Sequence, residues 1–113
     1  MEIQSLVNKI GQDWVYIIGA FNLSNYLRYK VLNGRCYVEM RLEKISINQN
    51  DTQYINNGSF PKPYGDVYRI GINGINTNQS IIIHLNNNGG LLMSSNTPGI
   101  YYPVSAFDYE VSP

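Results

Sequence analysis

Two residues, Asn33 and Gly34, constrain this chain more than any other feature of its sequence. Both tolerate positive φ, and an Asn-Gly pair between two alternating runs is the signal of a two-residue β-hairpin turn. Once the turn is fixed, the pairing runs outward by geometry. Leu32 faces Arg35, Val31 faces Cys36, Lys30 faces Tyr37, Tyr29 faces Val38, Arg28 faces Glu39, Leu27 faces Met40 and Tyr26 faces Arg41. Leu27, Tyr29, Val31, Cys36, Val38 and Met40 then share an apolar face, while the opposite face carries an Arg28–Glu39 ion pair. A slip of one residue would mix charged and apolar groups on each face, so turn chemistry and hydrophobic pattern select the same register. Cys36 is thereby expected inside the domain, as a small hydrophobe and not a nucleophile.

The same period of two continues along most of the chain. Ile45 and Ile47 precede a polar stretch, Asn48 to Asp51; a short strand is expected near Thr52 to Ile55, followed by a turn at Asn57 and Gly58. Pro61 and Pro63 bar ladder hydrogen bonds, so Phe60 to Gly65 reads as an extended connection. Val67 to Ile72 ends at a turn signal, Asn73-Gly74, and Ser80 to Leu85 is joined to Leu91 to Met93 through Asn86 to Gly90. Ile100 to Val104 and Ala106 to Val111 close the chain after a Pro98-Gly99 turn. Eight or nine short strands without intervening amphipathic helices predict an all-β domain, an antiparallel β-sandwich or jelly roll, over residues 12–113. Residues 1–11 differ: Ile3, Leu6, Val7 and Ile10 recur at helical spacing, and Ile3, Leu6 and Ile10 fit the a, d, a positions of one heptad. A short N-terminal helix or neck is expected there.

Composition removes several function classes. At 113 residues a single core can form without staples, and one cysteine allows no intrachain disulfide. Eight acidic side chains balance eight basic ones, which leaves no electrostatic footprint for nucleic acid or an anionic membrane. No apolar run approaches the roughly 18 residues of a membrane span, and the first twenty residues lack the basic start and apolar run of an export signal. His84 is the only histidine, so a metal site built on two imidazoles of one chain is excluded, and no nucleophile motif surrounds His84. No phosphate-binding glycine loop is present. The acids Asp13, Glu39, Asp66, Asp108 and Glu110 show no spacing that singles out a glycosidase-like pair. The sequence therefore predicts no catalytic residues, cofactor or metal.

Fifteen asparagines and ten tyrosines in a chain that is only 14% charged are the vocabulary of a binding face. Tyrosine gives rigid contact area, and amides and hydroxyls give adaptable hydrogen bonds. A pyranose suits this surface, with apolar C–H faces for a ring and a hydroxyl periphery for amides. Tyr54, Tyr64, Tyr101 and Tyr102 lie at or beside turns, with Asn56, Asn57, Asp66 and Asn96 near them. Tyr64, Asp66, Asn96, Tyr101 and Tyr102 are the candidate saccharide contacts.

Asp13 and Trp14 opening the first strand, then Leu27, Tyr29 and Lys30 leading to Asn33-Gly34 and Cys36 to Leu42, resemble the carboxy-terminal head domain of phage tail fibres and baseplate receptor-binding proteins. Phe60, Pro61, Pro63 and Tyr64 are similar to that family's proline connection, although no Arg precedes the second proline here. Ile81, Ile83, Asn88, Gly89 and Leu91 are similar to its late hairpin, and Tyr109 to the end of its closing strand. The resemblance spans residues 13–111. It implies a homotrimeric, non-catalytic head at a virion tail tip that attaches to host cell-surface saccharide, with residues 1–11 feeding in from a stalk and Trp14 packed in the core. Two alternatives remain at this point: a ligand-free structural or trimerisation module of a tail, and a small carbohydrate-active enzyme.

Overall fold

The computed structural model describes residues 14–20, 23–47, 52–56 (backbone only) and 59–113. The expected N-terminal helix, Asp13, the polar stretch at 48–51 and the Asn57-Gly58 turn lie outside the described residues. The described residues form ten strands: β1 (Val15–Ile18), β2 (Tyr26–Leu32), β3 (Arg35–Arg41), β4 (Ile45–Ile47), β5 (Thr52–Asn56), β6 (Val67–Asn73), β7 (Asn76–Leu85), β8 (Leu91–Ser94), β9 (Gly99–Tyr101) and β10 (Pro103–Glu110). Eight of them form one antiparallel sheet in the order β1-β2-β3-β10-β6-β7-β8-β5, and β4 pairs with β9. The chain is an all-β, sandwich-like domain, as its alternation predicts. No helix among the described residues is long and apolar enough to cross a membrane.

The β2–β3 hairpin has the register dictated by its turn, from Leu32 opposite Arg35 out to Tyr26 opposite Arg41. Asn33 and Gly34 adopt φ of 53° and 79°, the positive values that a tight hairpin turn with the right-handed strand twist requires. Val31 lies on the expected face yet is half-exposed, because the turn end of the hairpin overhangs the core.

The sheet curls at β10. This strand pairs with β3 over its length but with β6 only at Pro103 opposite Asn73 and Val104 opposite Ile72. The two halves of the sheet can therefore fold about that joint and enclose a common interior. Leu27, Cys36, Val38, Met40 and Tyr109 come from one half and Ile81, Ile83, Leu85, Leu91 and Met93 from the other. Phe60 enters from the proline connection, its ring 5.5 Å from that of Tyr29. Burying a side chain of this size contributes roughly 1.5–3 kcal/mol, so this aliphatic set dominates the stabilisation. Gly89 fixes Phe60 in place: its φ is +88°, its carbonyl accepts the Phe60 N–H at 3.1 Å, and a Cβ on it would meet the Phe60 carbonyl oxygen at 2.3 Å.

Two local expectations are corrected. The residues at 100–104 do not form one strand: the chain breaks at Tyr102, with β9 turning to pair with β4 and β10 joining the large sheet. The cause is Asn73, whose Oδ1 accepts the Tyr102 N–H at 3.0 Å, while the Tyr102 carbonyl accepts the Gly74 N–H at 2.8 Å. The preceding turn also shifts. Asn73 is the last residue of β6 and is buried, and Gly74-Ile75 form the loop.

Candidate saccharide-binding site

The five residues expected at the site separate into three places. Tyr101 and Asn96 meet at a cleft beside β7 and β8, Tyr102 faces a groove next to β3 and β10, and Tyr64 and Asp66 lie on the loop before β6.

The cleft exists because β7 is longer than its partner. β8 pairs only with the residues from Ile82 to Leu85, so the first half of β7 projects past it, and the chain leaves β8 through a turn at 95–98. The concavity between them has a volume of about 290 Å³ and is lined by Asn78, Gln79, Ser80, Ile82, Ser94 to Thr97 and Tyr101. Its lining carries amides, hydroxyls and one aliphatic side chain, Ile82, which is 45% exposed. Among the described residues, no Asp, Glu, Lys, Arg or His lines it. Asn78, Ser80, Ser94 and Asn96 direct no side-chain hydrogen bond to another described residue, so these groups are available to a hydroxylated ligand. Each amide or hydroxyl offers both a donor and an acceptor.

Tyr101 does not serve as the stacking surface expected of it. Its ring is buried (1% exposed), and its hydroxyl braces the turn from below. That hydroxyl has one proton, which it donates to the Thr97 carbonyl at 2.6 Å. Ser95 Oγ, 2.8 Å away, must then donate to the Tyr101 oxygen, and it accepts the Thr97 N–H at 3.2 Å. Each proton has one acceptor, and the turn that presents Asn96 is held from inside the core. Alternation puts Tyr101 inward and Tyr102 outward, which an adjacent Tyr-Tyr pair does not reveal by itself.

Sequence reasoning missed Asn78, Gln79, Ser80, Ser94 and Thr97. A signal for the first three was available: 76–80 contains five polar residues in succession before Ile81, a strand segment with nothing apolar to bury. The structure uses it as an overhang.

The other candidates occupy different surroundings. Tyr64 is 64% exposed on the proline loop. Asp66 Oδ1 accepts the Asn87 N–H at 2.9 Å, and its Oδ2 lies 3.3 Å from His84 Nε2. His84 stacks on Tyr68 with ring centroids 4.4 Å apart. Asp66 thus ties the Asn86–Gly90 connection to the start of β6, and the lone histidine lies beside its carboxylate. For Tyr54 and Asn56 only the strand assignment is described.

Trp14 departs from its expected core position. It stands half-buried on the outer face of the β1–β2–β3 half, where the Arg28 guanidinium lies 4.1 Å and the Lys30 ammonium 4.8 Å from its ring centre. Alternation explains this, since Arg28 and Lys30 belong to the polar face of the hairpin. Arg28 also donates from Nε to Glu39 at 3.0 Å and from Nη1 to the Tyr16 hydroxyl at 2.9 Å. Partial burial opposes its charge, but these hydrogen bonds outweigh it and raise the guanidinium pKa. Cys36 is buried, and desolvation pushes its thiol up to about 11, the polar contact with Tyr109 only partly opposing this. It stays protonated and unreactive. Burial also raises the Tyr109 phenol, whose hydroxyl donates to the Pro61 carbonyl at 2.7 Å.

No protein-family model matches this chain, and neither a curated protein nor a solved structure is detectably similar to it.

Proposed function

We propose that this chain is a non-catalytic saccharide-recognition domain, the head of a phage-type tail fibre or receptor-binding protein that attaches to host cell-surface saccharide as a homotrimer. The observation that carries the reading is the composition of the β7–β8 cleft: amides and hydroxyls around an aliphatic floor, with no ionised side chain among the described residues of the lining. Neutral polyhydroxylated ligands are complementary to such a lining, since every polar contact is an exchangeable hydrogen bond and no charge must be desolvated. The all-β sandwich-like fold and the residue pattern of 13–111 agree with the tail-fibre resemblance. Tyr68 and Ile70, both exposed on the outer face of β6, offer apolar area to a neighbouring copy. A trimer makes weak cleft contacts effective through local concentration.

Three of the five described carboxylates are already engaged, and the other two, Glu43 and Glu110, do not line the β7–β8 cleft, which favours binding over hydrolysis there. Glu39 is paired with Arg28, Asp108 with Arg35 at 2.7 Å, and Asp66 faces His84. Glycan-array binding, light scattering and adsorption competition test the proposal together. The free domain is expected to scatter as a trimer, bind host polysaccharide and block attachment of a virion that bears this chain. A monomer that binds no host polysaccharide overturns it. A trimer that fails to compete leaves the structural-module reading in its place, and release of reducing ends from polysaccharide would favour an enzyme.

A further inference from the structure

The outer surface joins the cleft to a second concavity. Tyr26 is opposite Arg41, Arg41 opposite Val104, Val104 opposite Ile72, and Ile72 opposite Ser80. Residues paired directly across an antiparallel ladder project from the same face. Tyr26, Arg41, Val104, Ile72 and Ser80 therefore form one row crossing five strands, and the row ends in the cleft, which Ser80 lines. Four inter-strand spacings of about 4.8 Å give a track of roughly 19 Å.

At the Tyr26 end the row runs into a groove. Two concavities of about 290 and 300 Å³ share Ser24, Arg41 and Val104. Tyr26 and Glu39 line one, and Ile75, Tyr102 and Glu43 line the other. Arg41 pairs with no carboxylate among the described residues, and Glu43 pairs with no cation among them. A guanidinium and a carboxylate flanking two tyrosines can bracket hydroxyls with bidentate hydrogen bonds while the rings take apolar sugar faces. The buried Asn73 ties the two regions together. Its Nδ2 donates to Gln79 Oε1 of the cleft at 2.7 Å, and its Oδ1 accepts the N–H groups of Ile75 and Tyr102 in the groove.

We propose that the groove between Tyr26 and Tyr102 is a second saccharide subsite, and that one extended oligosaccharide lies across the strands from the β7–β8 cleft, over Ile72, to Arg41 and Tyr102. This rests on the cleft's own reading as a saccharide site and adds its length requirement: the ligand is a chain of several sugars, and its affinity grows with length.

Backbone amide shifts of the intact chain test it. Methyl glycosides of glucose, galactose, rhamnose and N-acetylglucosamine are added first, and then the oligomer series of whichever sugar moves the cleft amides. The expected result is that monosaccharides move Ser80 and Ser94 to Thr97, while longer oligomers also move Arg41, Gly74 and Tyr102 and bind about tenfold tighter or more. Arg41→Ala and Tyr102→Ala, each checked for an unchanged thermal midpoint, should return the oligomer to monosaccharide affinity with the cleft shifts retained. Oligomers that bind no tighter than monosaccharides and leave the groove amides still overturn the second subsite while the cleft reading stands. If no glycoside moves the cleft amides, the cleft reading falls and the subsite with it.

Discussion

Replacing Tyr101 separates a brace from a ligand contact. In Tyr101→Phe the ring stays and the core is unchanged, but the Thr97 carbonyl loses its donor and the Ser95 hydroxyl loses its acceptor. Leaving a buried polar group unpaired costs about 1–3 kcal/mol, and the Thr97 carbonyl at the cleft rim can recover part of this from water. The net expectation is about 1–2 kcal/mol of destabilisation, a fall in thermal midpoint of roughly 4–8 °C for a domain of this size. Tyr101→Ala adds the loss of a fully buried ring, about 3–5 kcal/mol by the precedent of large aromatic truncations, a large part of a total stability that is about 5–15 kcal/mol for such domains. Saccharide affinity should fall in Tyr101→Phe, because the turn presenting Asn96 is loosened, although Tyr101 stacks on no sugar. Thermal unfolding and calorimetric titration of the two variants provide the assay. A Tyr101→Ala protein with a wild-type midpoint would refute the buried brace and return this ring to the surface.

Further outcomes follow from other sites. Gly34→Ala and Gly89→Ala both place a side chain at positive φ, but nothing lies within 4 Å of a Cβ at Gly34, whereas the Phe60 carbonyl lies 2.3 Å from one at Gly89. Gly34→Val should cost more than about 1 kcal/mol from backbone strain, and Gly89→Ala should cost more than Gly34→Ala in urea unfolding. Cys36 gives an alkaline signature. Its folded pKa is raised, so its contribution is fully present below the ordinary thiol value of 9.0 and is lost as pH rises toward about 11. The loss is roughly 3 kcal/mol by linkage, and Cys36→Ala should flatten that part of the stability profile. Asn78→Ala and Asn96→Ala should weaken saccharide binding with little change in midpoint, since neither side chain bonds to another described residue.

The parts of the fold that were legible in the sequence rest on local chemistry. The Asn33-Gly34 turn set the register of β2 against β3 through Tyr26 and Arg41, and with it the inward placing of Cys36. The break at Tyr102 was not legible, because it depends on the side chain of Asn73, which lies 29 residues away in sequence and had the appearance of an ordinary turn residue. Trp14 was expected in the core from the resemblance to tail-fibre heads, but the cations of Arg28 and Lys30 hold it on the outer face. At the site, Asn96 could be found as a turn amide, and Tyr101 and Tyr102 as a pair. Which of the two faces inward was hidden, since β9 and β10 belong to different sheets. The polar run before Ile81 comes to line a cleft only because β8 is shorter than β7, a tertiary fact.

The measurement that tests the account most directly is a crystal structure of the protein soaked with host cell-wall saccharide. The account predicts a sugar ring against Ile82, with its hydroxyls bonded to Asn78, Ser80, Ser94 or Asn96. A saccharide bound elsewhere, with the β7–β8 cleft holding only solvent, would contradict it.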